Sequence, residues 1–279
     1  MTIQEIYNKW LPVKRKLVKE STCSTYVYQF TKRILPIYGD KEPEYVTNDE
    51  MQRFMLSLIE EGLSVKSAKD IFISFKMLLY YAMERYGVKY IKYRVQFPTV
   101  NMEATKDLEV YTEFEQKKII SYIVDYPKPK RLGILIGLCT GMRIGEICGL
   151  RWENIDIGNK CIHVTHTIER ILDIDTKKSK VIESTPKTIE SQRDIPIGRD
   201  LLGILKKFKA CYNDGFYVIT GDEKFCEPRT YRNYYRHLVL SEVGLDRCIK
   251  FHGLRHSFAT RMIASKADMK TTSRILGHS

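Results

Sequence analysis

The stretch Leu132-Gly133-Ile134-Leu135-Ile136-Gly137-Leu138-Cys139-Thr140-Gly141-Met142-Arg143-Ile144-Gly145-Glu146 reads as two helices joined by a tight turn. Residues 132–140 are apolar all round, which predicts a helix buried on every side at the centre of a helical domain. Gly141 lets the backbone turn, and residues 144–150 predict a second, short helix. Arg143 is thereby presented at a helix N-terminus, where anions are favoured. Glu146 follows three residues later, on the same face. As a structural device the two form a buried ion pair. As a functional one, Glu146 holds a cation aimed at an anion.

Outward from this stretch the chain divides in two. In the first hundred residues, Ile3, Ile6, Tyr7 and Trp10 share a helical face, and Pro12 predicts a kink or restart. Tyr26, Phe30 and Ile34 recur at four-residue steps, with Pro36 and Gly39 ending the run. Thr47 and Glu50 have capping-box spacing ahead of Met51, Phe54, Met55 and Leu58, and Gly62 stops that helix. Ala68 to Ala82 marks a longer helix ending before Gly87. This predicts a small four-helix domain over 1–95. Periodicity lapses over 96–110, an interdomain linker. Thr112 and Glu115 open the second domain, 111–279, with another capping box. After Trp152 the pattern alternates, and 155–157, 161–165, 181–182 and 194–197 predict a small antiparallel sheet. Helices return from 200 onward. The fold class is mainly α with a small antiparallel β-sheet in the second domain. Internal repeats and low-complexity segments are absent.

A chain of 279 residues with 43% apolar and 29% charged residues suits two modest globular domains. The opening MTIQEIYNKW has no signal-peptide pattern, and no apolar run approaches a membrane span. A cytoplasmic, nucleoid-associated protein with no membrane partner is expected. Net charge is +12, and both halves carry a cationic excess, which suits a polyanionic partner. The seven cysteines are odd in number, irregularly spaced and free of any C-x-x-C pair. That supports reduced thiols, with neither a disulfide frame nor a zinc finger.

Three further segments carry chemistry. HGLRH (252–256) opens a helix with Phe258, Ala259 and Met262 on its buried face. His252 and Arg255, three apart, are expected to project together. His252 and His256 copy the spacing of a zinc-binding helix, but Gly253 stands where its glutamate belongs, so no metal is expected. TPKT (185–188) carries Lys187, with Lys177, Lys178 and Lys180 as nearby alternatives. LGHS (276–279) carries His278. Arginine offers a planar, permanently charged fork for phosphate oxygens, and lysine and histidine move protons. In residues 228–242, Arg229, Arg232 and Arg236 fall on one helical face and Tyr231, Tyr235 and Leu238 on another. The basic face is either solvated or a phosphate contact. The same two readings apply to Lys14, Arg15, Lys16, Lys32 and Arg33.

TGMRIGEICGLR (140–151), HGLRHSFAT (252–260) and the terminal LGHS, in that order, resemble the signature boxes of the phage-integrase family, the tyrosine recombinases. ILPIYGDK (34–41) resembles that family's core-binding domain, so the resemblance spans nearly the whole chain. It implies a two-domain, C-shaped DNA clamp with a SAM-like core-binding domain and a catalytic domain. Arg143 and Arg255 would clamp the scissile phosphate, and Glu146 would support them. His252 would help deprotonate the attacking tyrosine, and His278 would bond a non-bridging oxygen. Lys187 would protonate the leaving 5′ oxygen; SQRDIPI after it matches the family pattern. The reaction implied is transesterification through a 3′-phosphotyrosyl intermediate and a Holliday junction, without cofactor, ATP or metal. Partners implied are double-stranded recombination sites, a dimer on one site and a homo-tetramer on two duplexes, with accessory DNA-bending factors compatible. The family nucleophile lies two to three helical turns beyond the LGH histidine, whereas no tyrosine follows Tyr235 here. The chain as given is therefore expected to bind DNA without cleaving it. Three readings stay open: an element integrase, an Xer-type recombinase or invertase, and a non-catalytic DNA-binding relative. A type IB topoisomerase shares the chemistry, but the N-terminal helical domain favours a recombinase. The core-binding pattern begins within the first few residues, which leaves no room for an arm-binding domain in these 279 residues. Either the element carries a simple recombinase of the Xer or invertase type, or that front end was removed.

Overall fold

A computed structural model of the chain describes residues 1–99, 109–185 and 192–277. Its contacts separate two compact units, Met1–Thr105 with Ile171–Lys180, and Lys106–Arg170 with Val181–Ser279.

The first unit is helical. It contains α1 (Ile3–Leu17), α2 (Glu20–Gln29), α3 (Leu35–Tyr38), α4 (Asn48–Glu60) and α5 (Val65–Tyr86). A π-helical turn, Phe30–Ile34, runs α2 into α3, so four rods result. Helix α1 opens on a full capping box between Thr2 and Glu5. It also continues through Pro12, against the predicted kink or restart. Four buried side chains, Ile3, Ile6, Tyr7 and Trp10, anchor its first turns. The N–H that Pro12 lacks would have served Asn8, which faces water. At α4 the expected capping box is half made. Thr47 Oγ1 accepts from the Glu50 N–H, but the Glu50 carboxylate accepts from the Tyr38 hydroxyl and from Arg53 instead. The core is aromatic: Tyr7 packs on Phe30 at 4.8 Å, and Tyr38 on Phe54 at 5.0 Å between centroids. Ile174, of the segment Ile171–Lys180, is buried with Cys23 and Val27.

The second unit contains α6 (Glu113–Asp125), α7 (Pro129–Thr140), α8 (Ile144–Cys148), β1 (Ile155–Asp156), β2 (Cys161–Val164), most of β3 (Thr167–Leu172) and of β4 (Ser179–Ser184), whose ends at Ile171–Leu172 and Ser179–Lys180 are counted with the first unit, then β5 (Arg193–Pro196), α9 (Arg199–Lys209), α10 (Pro228–His237), α11 (His252–Ala264) and α12 (Met269–Leu276). Helix α7 is buried from Arg131 to Leu138 and again at Thr140, and sits in one core with Ile119, Ile123, Tyr231, Tyr235 and Leu254. The three-stranded sheet has the order β1-β2-β5 and is antiparallel throughout. Its register puts Ile155, Ile162 and Ile195 in one row on the buried face and pairs Asp156 with Cys161 and His163 with Asp194 on the other. Val181 and Ile182, expected in that sheet, lie instead in a separate hairpin of β3 and β4. The reason is local. Asp173 Oδ1 accepts from the N–H groups of Asp175 and Thr176, and Lys177 takes φ +58°, a turn that folds β4 straight back on β3. No described helix is long and apolar enough to cross a membrane. The seven cysteines are free thiols.

Candidate active site

Two glycines shape the site. Gly141 ends α7 in the left-handed region, φ +68°, and a Cβ there would stand 2.7 Å from side-chain atoms of both Leu276 and Phe258. Gly145 brings α8 against β3, where a Cβ would meet Thr167 Oγ1 at 2.5 Å. The turn between α7 and α8 is thus pressed on α11, α12 and the hairpin at once.

Arg143 caps α8 and pairs with Glu146 as the sequence predicts. Its backbone N–H donates to Glu146 Oε2 and its Nη1 to Oε1, both at 2.8 Å. A second arginine shares that carboxylate. Arg193, from β5, donates Nη1 to Oε1 and Nη2 to Oε2, both at 3.0 Å. Glu146 is 3% exposed. Burial alone would raise its pKa, but the Arg193 hydrogen bonds and charge, then the Arg143 bonds, hold it below the usual carboxylate range. Sequence reasoning did not single out Arg193. The signal was there: Arg193 shares the strand phase of the buried Ile195 and Ile197, and an arginine on an inward phase needs an anion.

Arg255 is 2% exposed. Its Nη1 donates to Gly141 O at 2.9 Å and its Nη2 to Leu276 O at 2.6 Å. Desolvation, then the neighbouring Arg143 charge, pushes its pKa down to about 10. Three arginines converge on one helix end. Arg193 Nε donates to Ile275 O at 2.6 Å, Arg255 to Leu276 O, and Arg143 Nη2 to Gly277 O at 3.0 Å. Each supplies a donor to a carbonyl that the end of α12 leaves unbonded, and together they complement its negative pole. Two guanidiniums share the Glu146 carboxylate and the third, Arg255, bonds only carbonyls, so the cluster holds a cationic surplus largely out of water. Only Arg143, with its side chain 37% exposed, opens substantially to solvent. An oxyanion arriving at Arg143 would offset that surplus.

His252 begins α11 and is exposed, with its ring edge-on to that of His256 at 4.7 Å. It does not share a burial face with Arg255, because residues 253–255 turn inward and leave 252 outside. Ala259 and Met262 are only half-buried, while Phe258 is buried. Lys187 and His278 lie outside the described residues.

On α10 the two faces separate as the spacing predicts. Arg229, Arg232 and Arg236 are exposed, and Tyr231 and Tyr235 are buried. The Tyr231 hydroxyl donates to Lys130 O at 2.6 Å, and the Tyr235 and Tyr111 hydroxyls bond each other at 2.7 Å. Burial pushes both phenols well above their ordinary range, so these tyrosines are core groups and poor nucleophiles. In the first unit Lys16 and Lys32 are exposed, and Lys14 Nζ sits 5.7 Å from the Trp10 ring centroid. Arg33 pairs with Glu61 at 2.8 Å, and Arg15 makes a two-pronged pair with Asp175 at 2.8 and 2.9 Å. Neither arginine is a spare cation.

Comparison with known proteins bears on this geometry. Residues 109–279 match the family described as the phage integrase family, and residues 2–59 match the phage integrase N-terminal SAM-like domain. A tyrosine recombinase XerC-like protein of Caldanaerobacter subterraneus subsp. tengcongensis is 29% identical, over 100% of this chain and 76% of that protein. The ICEBs1 integrase of Bacillus subtilis is 25% identical, over 90% of this chain and 68% of its own length. Among solved structures, the Tn1549 transposon integrase in complex with transposon right-end DNA superposes with a TM-score of 0.77 at 22% identity, covering 100% of this chain and 92% of that one.

Proposed function

Since the chain belongs to the phage integrase family, we propose that it is a site-specific DNA recombinase of a mobile element, cutting and rejoining strands by transesterification. Residues 1–95 act as the core-binding domain, 96–110 as a linker and 111–279 as the catalytic domain. Arg143 and Arg255 bind the scissile phosphate and neutralise the charge that grows on it in the transition state. Glu146, shared with Arg193, fixes the Arg143 fork. His252 assists removal of the proton from the attacking tyrosine, His278 bonds a non-bridging oxygen, and Lys187 protonates the departing 5′ oxygen. The tyrosine oxygen bonds to phosphorus, the 5′ oxygen leaves, and a 5′ hydroxyl of the partner strand reverses the step. The energy of the broken bond stays in the phosphotyrosyl link, so no ATP is consumed. Double-stranded recombination sites are the substrate, with a dimer on one site and a tetramer on two. Arg229, Arg232 and Arg236 on α10, and Lys14, Lys16 and Lys32 in the first unit, touch DNA phosphates. Arg33 belongs to that surface only if it exchanges Glu61 for a phosphate.

The observation that carries this reading is the arginine cluster, whose cationic surplus opens to solvent at Arg143. The test uses duplexes bearing the ends of the source element. The 279-residue chain is expected to shift them and to form no denaturant-resistant adduct. A form of the protein that carries a tyrosine two to three helical turns beyond the LGH histidine is expected to form a 3′-phosphotyrosyl adduct on a nicked substrate, and Arg143→Lys in that form should retain binding and lose the adduct. Such a form that neither binds these duplexes nor forms the adduct overturns the proposal. An adduct formed by the 279-residue chain itself overturns the exclusion of its buried tyrosines.

A further inference from the structure

The outward face of the three-stranded sheet carries a grouping that the recombination chemistry does not use. Asp156 on β1 pairs in register with Cys161 on β2, and Cys161 and His163 alternate onto the same face. Cys161 Sγ lies 3.8 Å from His163 Nε2, and Asp156 Oδ2 lies 3.9 Å from that same nitrogen. The three ligand atoms all fall within 4.8 Å of one another. Asp194, paired with His163 across β2 and β5, sits behind the ring. Its Oδ1 is 2.7 Å from His163 Nδ1. A carboxylate only accepts, so Nδ1 carries a proton, and Nε2 is the nitrogen turned toward Cys161 and Asp156, with its lone pair open to a metal ion in the neutral ring. Asp156 is itself oriented by Asn159, whose N–H and Nδ2 both donate to it at 2.8 Å.

We propose that Asp156, Cys161 and His163 form a binding site for a zinc-class divalent transition-metal ion, with Asp194 as the outer carboxylate that positions His163. Thiolate, imidazole and carboxylate are the donor set that such an ion selects over magnesium or calcium. Zinc–ligand bonds of about 2.0–2.3 Å place tetrahedral donors roughly 3.2–3.6 Å apart. The half-buried side chains therefore close on the ion by small rotations, leaving a fourth position for solvent. Coordination replaces the Cys161 S–H proton, which leaves to water. The ion ties β1 to β2 and, through the His163–Asp194 bond, to β5. That strand carries Arg193, so an occupied site braces the support of Glu146 without entering the reaction.

The test is titration of the 279-residue protein with Co2+, followed by competition with Zn2+. One equivalent should bind, with a near-ultraviolet thiolate-to-cobalt charge-transfer band and the intense visible bands of a tetrahedral ion. Cys161→Ser should abolish the charge-transfer band, and His163→Ala should remove binding at stoichiometric cobalt. Asp194→Asn should keep the band and weaken affinity about 10- to 100-fold. Cys211→Ser, at an exposed thiol outside the grouping, should change nothing. Zn2+ should raise the melting temperature of the parent and not that of Cys161→Ser, with circular dichroism verifying that each variant is folded. A protein that binds no cobalt, a band that survives Cys161→Ser, or an Asp194→Asn variant of unaltered affinity each overturns the assignment.

Discussion

Glu146 is the residue on which the arginine cluster turns. It takes bidentate bonds from Arg193 and two more from Arg143, while Arg255 lies close enough to feel the same charges. Removing one member of a buried ionic network leaves the others uncompensated, at a cost of about 3–5 kcal/mol. Glu146→Gln should therefore lower unfolding stability by that order in denaturant melts at neutral pH. The pH dependence has a definite sign. The folded-state pKa of Glu146 lies below its ordinary value of 4.5. Its stabilisation is complete above that value and is lost as pH falls through the lower, folded-state pKa. The stability gap between parent and Glu146→Gln should thus be flat above pH 4.5 and shrink below it; a gap independent of pH would exclude the ionic account. At this scale the sequence was partly legible. Arg143 and Glu146 announce their pairing by helical spacing. The third partner, Arg193, arrives from a strand 47 residues away in the chain, and only its inward phase betrays it. Lys187 and His278 were read entirely from resemblance, because no local pattern distinguishes a working lysine or histidine from a surface one.

Among the elements, α12 depends most on what surrounds it. The end of an eight-residue helix is held by three arginine donors and by contact with the α7–α8 turn. Gly141 is where that contact is tightest. Alanine there would take a left-handed conformation and drive its Cβ against Leu276 and Phe258. The backbone strain alone is of order 1–3 kcal/mol. Gly141→Ala should lower stability by at least that, with amide exchange accelerated in α12 ahead of α7. Equal acceleration in both helices would mean that the turn does not act locally on α12. Long amphipathic helices were legible because their burial period repeats, as in α5 and α10. The hairpin of β3 and β4 was not, because Val181 and Ile182 alternate as any strand does. What assigns their partner is the Asp173 turn, a side-chain-to-backbone device with no periodic signature. Helix α1 passed through Pro12 for a related reason: tertiary burial of four side chains outweighs one missing backbone bond.

For the molecule as a whole, a net charge of +12 requires that binding to duplex DNA weaken as salt rises, since each phosphate contact releases condensed counterions. Net charge does not identify which cations take part; ion pairing does. Arg33 and Arg15 already face carboxylates at 2.8 Å. Among the described residues, Arg232 and Arg236 have no carboxylate within ion-pair distance, and both lie exposed on α10. Exchanging an internal carboxylate for a phosphate gains little, whereas a solvated arginine gains the full contact. Arg232→Ala should therefore reduce the slope of log K against log salt by about one. Arg33→Ala should leave it nearly unchanged, although both substitutions remove one charge. Fluorescence anisotropy over a salt series separates these outcomes. Equal slope losses for the two variants would mean that bulk charge governs binding and that the α10 face has no special role. An unchanged slope for Arg232→Ala, with the parent strongly salt-dependent, would move the interface off α10 and toward the exposed lysines of the first unit.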